Sequence, residues 1–280
     1  MIIDQKTEQA FSSLWFGNFY RPAYDDQNFV RQAISLIKEL GFNTILLDSK
    51  AWEDFQERFQ GKEASPYVAM QEFMMDEANR QGLSYAFLAL YLNGDNLYPH
   101  IRFSPPVYGE SVVNPDGSHG KWYRYWSKKA KDSMTRHLQG LMKRYGSLQS
   151  RILVDGKERL PVCSMWDPIV APSFDDEGKA RYINWLKKRY QDSVDALNKA
   201  YDLCLSSFSQ LKPEDYWFSL RWPERASFTE EEVSAAAPPF QVLSDNRMWQ
   251  RDELVSYFQE MNDRLHNLDS RLWLCPDLAQ

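Results

Sequence analysis

The sequence predicts an α/β protein built on a parallel sheet covered by helices, and three observations carry that prediction. Short apolar runs of the kind buried on both faces alternate with amphipathic helical stretches. Glycines stand where those helices should stop, and polar and aromatic residues gather just past the ends of the apolar runs. Of the two architectures that use such a sheet, the closed eight-fold (β/α) barrel is favoured over the open doubly wound sheet. No Gly-rich GxGxxG or GxxxxGKS loop follows any strand, whereas barrels keep their chemistry at the strands' C-terminal ends.

The elements follow in order. Leu14 to Phe19 reads as a first strand, and Asp25 or Asp26 then caps a helix with Phe29, Ala33, Ile34, Ile37 and Leu40 on its apolar side. Gly41 stops it, and FNTILLD is the second strand. Ser65 as cap and Pro66 in the first turn open the next helix, which carries Met70, Phe73, Met74 and Ala78 and stops at Gly82. LSYAFLALY is the third strand. A helix over 127–145 places Met134, Leu138, Leu141, Met142 and Tyr145 on one stripe. After Gly146 and a polar, hairpin-like stretch comes the fourth strand, RLPVCSM, ending at Trp166-Asp167. Ser173 and Asp176 form a start like a capping box for a helical hairpin, ARYINWLKKRY and SVDALNKAYD. A loop rich in Trp, Pro and acids covers about 205–239, and a long helix follows with Leu254, Phe258, Met261, Leu265 and Leu268 at core spacing. RLWLCPD is the fifth strand. The expectation is a single barrel domain over 1–280 with about five βα units, short of the eight that close a barrel.

Composition bounds the function. The 280 residues are 43% hydrophobic and 26% charged, as expected of a globular protein with a sizeable core. A formal charge of −6 with scattered Lys and Arg argues against nucleic acid as a partner. No run approaches the roughly 20 apolar residues that span a bilayer, and MIIDQKTEQAF lacks a signal-peptide pattern, so no membrane association and a cytoplasmic location are expected. Cys163, Cys204 and Cys275, far apart in sequence, read as buried free thiols. The four histidines form no metal-ligand spacing, there is no GxSxG elbow, and neither a metal nor another cofactor is expected. KWYRYWSKK interleaves aromatic and basic residues, and its place at a helix start favours a rim or packing role over single-strand nucleic-acid binding. Aromatic residues make up 15% of the chain, with ten tryptophans. Each is either core or a flat platform for the apolar face of a sugar.

The run WFGNFYRPAY, with Gly17, Tyr20 and Pro22, resembles the first strand of the family 42 glycoside hydrolases, microbial β-galactosidases built on a barrel, where Gly-x-x-Tyr-x-Pro is typical. ISLIKELGFNTILLDSKAWEDF is similar to that family's next helix and strand, with Trp52 as the aromatic after the strand end. INWLKKRYQDSVDALNKAYD and SDNRMWQRDELVSYFQEMNDRLHNLDSRLWLCPD resemble later segments in the same order. The resemblance implies a glycosidase acting on a β-galactoside or related oligosaccharide, with the ligand over the strand ends; a homo-oligomer and a monomer are both left open by the sequence. Trp166, Trp52, Asp48, Tyr20 and Asn93 are then the expected sugar contacts. In the family, strand four ends in Asn-Glu, the Glu being the acid/base. Here Trp166-Asp167 takes that place, one methylene or about 1.5 Å shorter. Asp167 is thus the expected acid/base, with a turn-forming role before Pro168 as the alternative. A retaining glycosidase also needs a second carboxylate about 5–5.5 Å away. The family's nucleophile ends strand seven, so no nucleophile is assigned. Asp175, Asp176 and Glu177 suit a helix N-terminus better, and Asp48 reads as a ligand or a structural residue. A non-catalytic carbohydrate-binding relative is the alternative function.

Overall fold

The computed structural model describes residues 3–4, 13–14, 26–48, 52–89, 109–164, 170–217 and 240–275. They fall into two compact units. Met1–Tyr108, Trp126–Pro168 and Phe258–Gln280 make the first, and Gly109–Tyr125 with Ile169–Tyr257 the second.

The first unit is built on a seven-stranded sheet. Its strands are β1 (Ile3–Asp4), β2 (Ser13–Leu14), β3 (Thr44–Asp48), β4 (Ser84–Ala89), β7 (Ile152–Val154), β8 (Lys157–Ser164) and β9 (Leu272–Cys275). Five of them, β2-β3-β4-β8-β9, run parallel and lie side by side in chain order. This order bears on the two expected architectures. A doubly wound sheet reverses direction at a switch point, whereas a barrel adds each strand beside the last. The succession is of the barrel kind, and among the described residues β2 and β9 do not pair to close it. One register row across it, Leu47–Phe87–Val162–Leu274, shows why the runs are continuously apolar. Phe87, Val162 and Leu274 are all buried, as helices on the sheet require.

The helices of this unit are α1 (Gln27–Glu39), α2 (Trp52–Phe59), α3 (Pro66–Arg80), α4 (Lys128–Tyr145) and the last part of a 29-residue helix over Phe240–Leu268. The caps expected at Asp26 and Ser65 are present, and Ser127 supplies a third. Asp26 accepts from the N–H groups of Asn28 and Phe29, Ser65 from Val68 and Ser127 from Ala130. Gly41 and Gly82 adopt positive φ after α1 and α3, a conformation that costs side-chain-bearing residues energy. On α1 the buried residues are Val30, Ile34 and Ile37, while Phe29, Leu36 and Leu40 lie 48%, 55% and 64% exposed. The apolar stripe expected from the sequence is thus only half used. Helix α3 packs beside α1, with Lys38 donating to the Gln81 carbonyl.

Helix α2 was not foreseen, although Trp52, Phe55 and Phe59 sit at helical spacing. It packs on α4 so closely that a methyl at Gly140 would collide with the Phe59 ring. Gln56 contacts the buried His137, and Phe55 meets the His137 ring edge-on. Glu72 of α3 joins α2 and α4 by accepting from Arg58, Arg144 and the Tyr145 hydroxyl at 2.9–3.0 Å. The hairpin foreseen before the fourth strand is β7–β8, turning at Asp155 and Gly156, both at positive φ.

The second unit carries a hairpin, β5 (Ser111–Val113) and β6 (His119–Tyr123), turned by Asn114-Pro115-Asp116-Gly117. Its helices are α5 (Asp176–Arg189), α6 (Val194–Tyr201), the single turn α7 (Pro213–Tyr216) and the start of α8 (Phe240–Leu268). The cap of α5 differs from the expected one. Asp175 accepts from the Gly178 N–H, whereas Ser173 accepts from the Val113 N–H and donates to Asp175. Asp175 is the better N-cap because its second oxygen also takes Arg124 at 3.2 Å. KWYRYWSKK has the packing role expected of it, with Tyr123 and Tyr125 buried.

Candidate functional site

Because β2, β3, β4, β8 and β9 are parallel, their C-terminal ends form one edge of the sheet. The row at that edge runs Asp48, Leu88, Cys163 and Cys275 in direct register. Of the site residues expected from the sequence, Asp48 is the last residue of β3 and lies in this row, and Trp52 is the first residue of α2. Tyr20, Asn93, Trp166 and Asp167 lie outside the described residues; in the chain, β8 ends three positions before Asp167.

The row also holds a pair that sequence spacing did not show. Cys163 and Cys275 are separated by more than a hundred positions in the chain, yet register places them opposite each other on adjacent strands. The Cys163 sulfur, in hydrogen-bond contact with Cys275, together with burial, holds the Cys275 thiol well above the ordinary thiol range. Both residues are half-buried, and Cys204 is exposed, so the expectation of three buried thiols fails at Cys204. That residue follows the left-handed Asp202 at the end of α6, where the chain runs over the surface. The signal that could have found the pair was its position: each Cys is at or next to the end of a strand that the sequence pattern had placed.

A second polar cluster lies in the other unit. Asp245 on α8 is fully buried and accepts from Gln241 at 2.9 Å and from the hydroxyls of Tyr190 and Tyr201. Arg189 reaches the same carboxylate at 3.3 Å. Burial and the adjacent Asp245 push the Tyr190 hydroxyl above its ordinary range, so it stays a donor at neutral pH. Beside this cluster, Tyr182 stacks on Trp217 at 4.8 Å between ring centroids, and Trp249 meets Trp217 edge-on at 4.9 Å. Trp217 and Trp249 are almost wholly buried, so these two tryptophans belong to the core and are not sugar platforms. Asp245 is likewise closed off, and its hydrogen-bond partners satisfy its oxygens within the core. Among the described residues no group of three or more His, Cys, Asp or Glu side chains stands close enough to hold a metal ion. No described helix is long and apolar enough to cross a membrane.

No family model matches the chain, and no curated protein does. Solved structures do. A catalytic mutant of a GH42 β-galactosidase from G. stearothermophilus shares 17% identity at a TM-score of 0.57, covering 98% of this chain and 37% of the other. The β-galactosidase from Rahnella sp. R3 shares 16% at 0.55, covering 94% and 35%. The catalytic domain of β-amylase from Paenibacillus polymyxa shares 12% at 0.51, covering 94% and 65%. These neighbours are barrel glycosidases, and the likeness is one of fold. This chain spans little more than a third of the length of the β-galactosidase structures.

Proposed function

We propose that this chain is a (β/α)8-type glycoside hydrolase of family 42 character, a single barrel-type domain over 1–280 that takes a β-galactoside or related oligosaccharide over the C-terminal edge of its sheet. The observation that carries the reading is the unbroken parallel order β2-β3-β4-β8-β9, with Asp48 at the edge and the polar and aromatic sequence positions following the strand ends. The likeness in fold to β-galactosidases and a β-amylase supports it.

In this reading Asp167 protonates the leaving glycosidic oxygen, and Trp166, Trp52, Asp48, Tyr20 and Asn93 hold the sugar. An acid in this role needs a pKa raised above the ordinary carboxylate range. The test is hydrolysis of an unactivated β-galactoside by the chain and by Asp167→Asn. The reading expects turnover that the substitution lowers by at least about a hundredfold, the scale of general acid catalysis. Turnover equal in both proteins removes Asp167 from the mechanism.

One observation favours a second reading, a carbohydrate-binding protein without catalysis. Trp166-Asp167 stands where the family has Asn-Glu, so the carboxyl is about 1.5 Å short, and a displacement of about 1 Å costs on the order of a hundredfold in rate. Saturable sugar binding with no turnover at any pH selects that reading over the first.

A further inference from the structure

We propose that Cys163 and Cys275 form a redox staple, closing to a disulfide that fastens β9 to β8 at the C-terminal edge of the sheet. This inference is independent of the carbohydrate reading. It rests on register: β8 and β9 pair in parallel from Leu160–Leu272 to Cys163–Cys275, and the two cysteines are the last pair of that ladder. Directly paired residues on neighbouring strands stand about 5 Å apart. That falls inside the roughly 4.4–6.8 Å between Cα atoms that a disulfide spans. Paired positions also project their side chains to the same face, which puts both sulfurs on one side of the sheet. Both residues are half-buried, within reach of a small oxidant but set back from the surface where Cys204 stands exposed.

The place in the ladder gives the staple its effect. Among the described residues β9 pairs only with β8, and its ladder is four residue pairs long. A short strand at the side of a sheet is the first to fray. A covalent link at its last pair closes a loop of more than a hundred residues in the unfolded chain, the case in which chain-entropy stabilisation is largest. The chemistry balances with a hydroperoxide as oxidant. One thiolate attacks the peroxide oxygen to give a sulfenic acid and water (or an alcohol). The second thiol then displaces water from that sulfur, so two thiols lose two electrons and two protons to make one S–S bond.

The test uses the chain with Cys204→Ser, which leaves only the pair. Hydrogen peroxide followed by thiol titration and peptide mass mapping should show both thiols lost in a monomer, with the Cys163 and Cys275 peptides joined until dithiothreitol is added. The oxidised monomer should melt higher than the reduced one. Phenylarsine oxide, which bridges two neighbouring thiols, supplies a readout without oxidation: it should bind this variant one to one, and Cys275→Ser in the same background should abolish tight binding. Sulfinic acid or intermolecular disulfides in place of the internal link overturn the proposal. So does failure of the arsenical to bind the folded variant.

Discussion

The two units bury polar groups in opposite ways. In the first, the interior sheet row Phe87–Val162–Leu274 is apolar and half-buried charges pair between helices, as in the Glu72 knot with Arg58, Arg144 and Tyr145 or the Arg264–Asp132 pair at 2.6 Å. In the second, a carboxylate with no exposed surface sits among tyrosine hydroxyls beside a stack of Tyr182, Trp217 and Trp249. A core of the first kind tolerates exchange of one apolar residue for another of similar volume. The second depends on a few partners with fixed geometry, and removing one leaves the others unpaired.

The comparison breaks first at Asp245. Asp245→Ala strands Arg189, Gln241 and two tyrosine hydroxyls, and should cost about 3–5 kcal/mol in urea unfolding. A loss under about 1 kcal/mol would mean the network adds little. Leu138→Ala in α4 removes a fully buried side chain from the first unit and should cost about 3 kcal/mol, whereas Leu138→Met should cost less than about 1.5. Amide exchange separates the two lesions, because protection should be lost around α4 in one and around α5 and the start of α8 in the other. Gly140→Ala drives a methyl into the Phe59 ring and should cost about 1–3 kcal/mol, which Phe59→Leu should partly recover. Ser65→Ala removes one capping acceptor and should cost about 1 kcal/mol.

The smallest effect is one of pH. Burial alone would raise the Glu72 pKa, but hydrogen bonds from Arg58, Tyr145 and Arg144 outweigh it and hold the carboxyl below the ordinary range. A lowered folded value contributes stability above the unfolded value, and that contribution is lost as the pH falls through the folded one. Thermal melts from pH 6 down to 3 should therefore show a shallower acid decline in Glu72→Gln than in the parent. Parallel declines would detach Glu72 from the acid limb.

The same contrast explains what the sequence revealed. Periodicity and punctuation read the first unit well: Asp26 and Ser65 cap where expected, and Gly41 and Gly82 turn the chain. Each is a local event within a few residues. The exposure of Leu36 and Leu40 was beyond such reasoning, since an apolar stripe shows which side a helix can bury and not what covers it. Helix α2, only eight residues long, carries four charges and too few apolar positions to stand out from a loop. Asp245 and the Cys163–Cys275 pair arise from contacts dozens of residues apart in the chain, which no window of sequence contains. Of the site, the strand-end location of Asp48 was legible, because strand direction alone fixes which end faces the loops.

The central claim is that a sugar binds over the C-terminal edge of the β2-β3-β4-β8-β9 sheet. Calorimetric titration of the chain with a β-galactoside, repeated on Asp48→Ala, tests it most directly. The account predicts saturable one-to-one binding that Asp48→Ala weakens about tenfold or more, roughly 1.4 kcal/mol. Absence of binding, or binding that the substitution leaves unchanged, would contradict it.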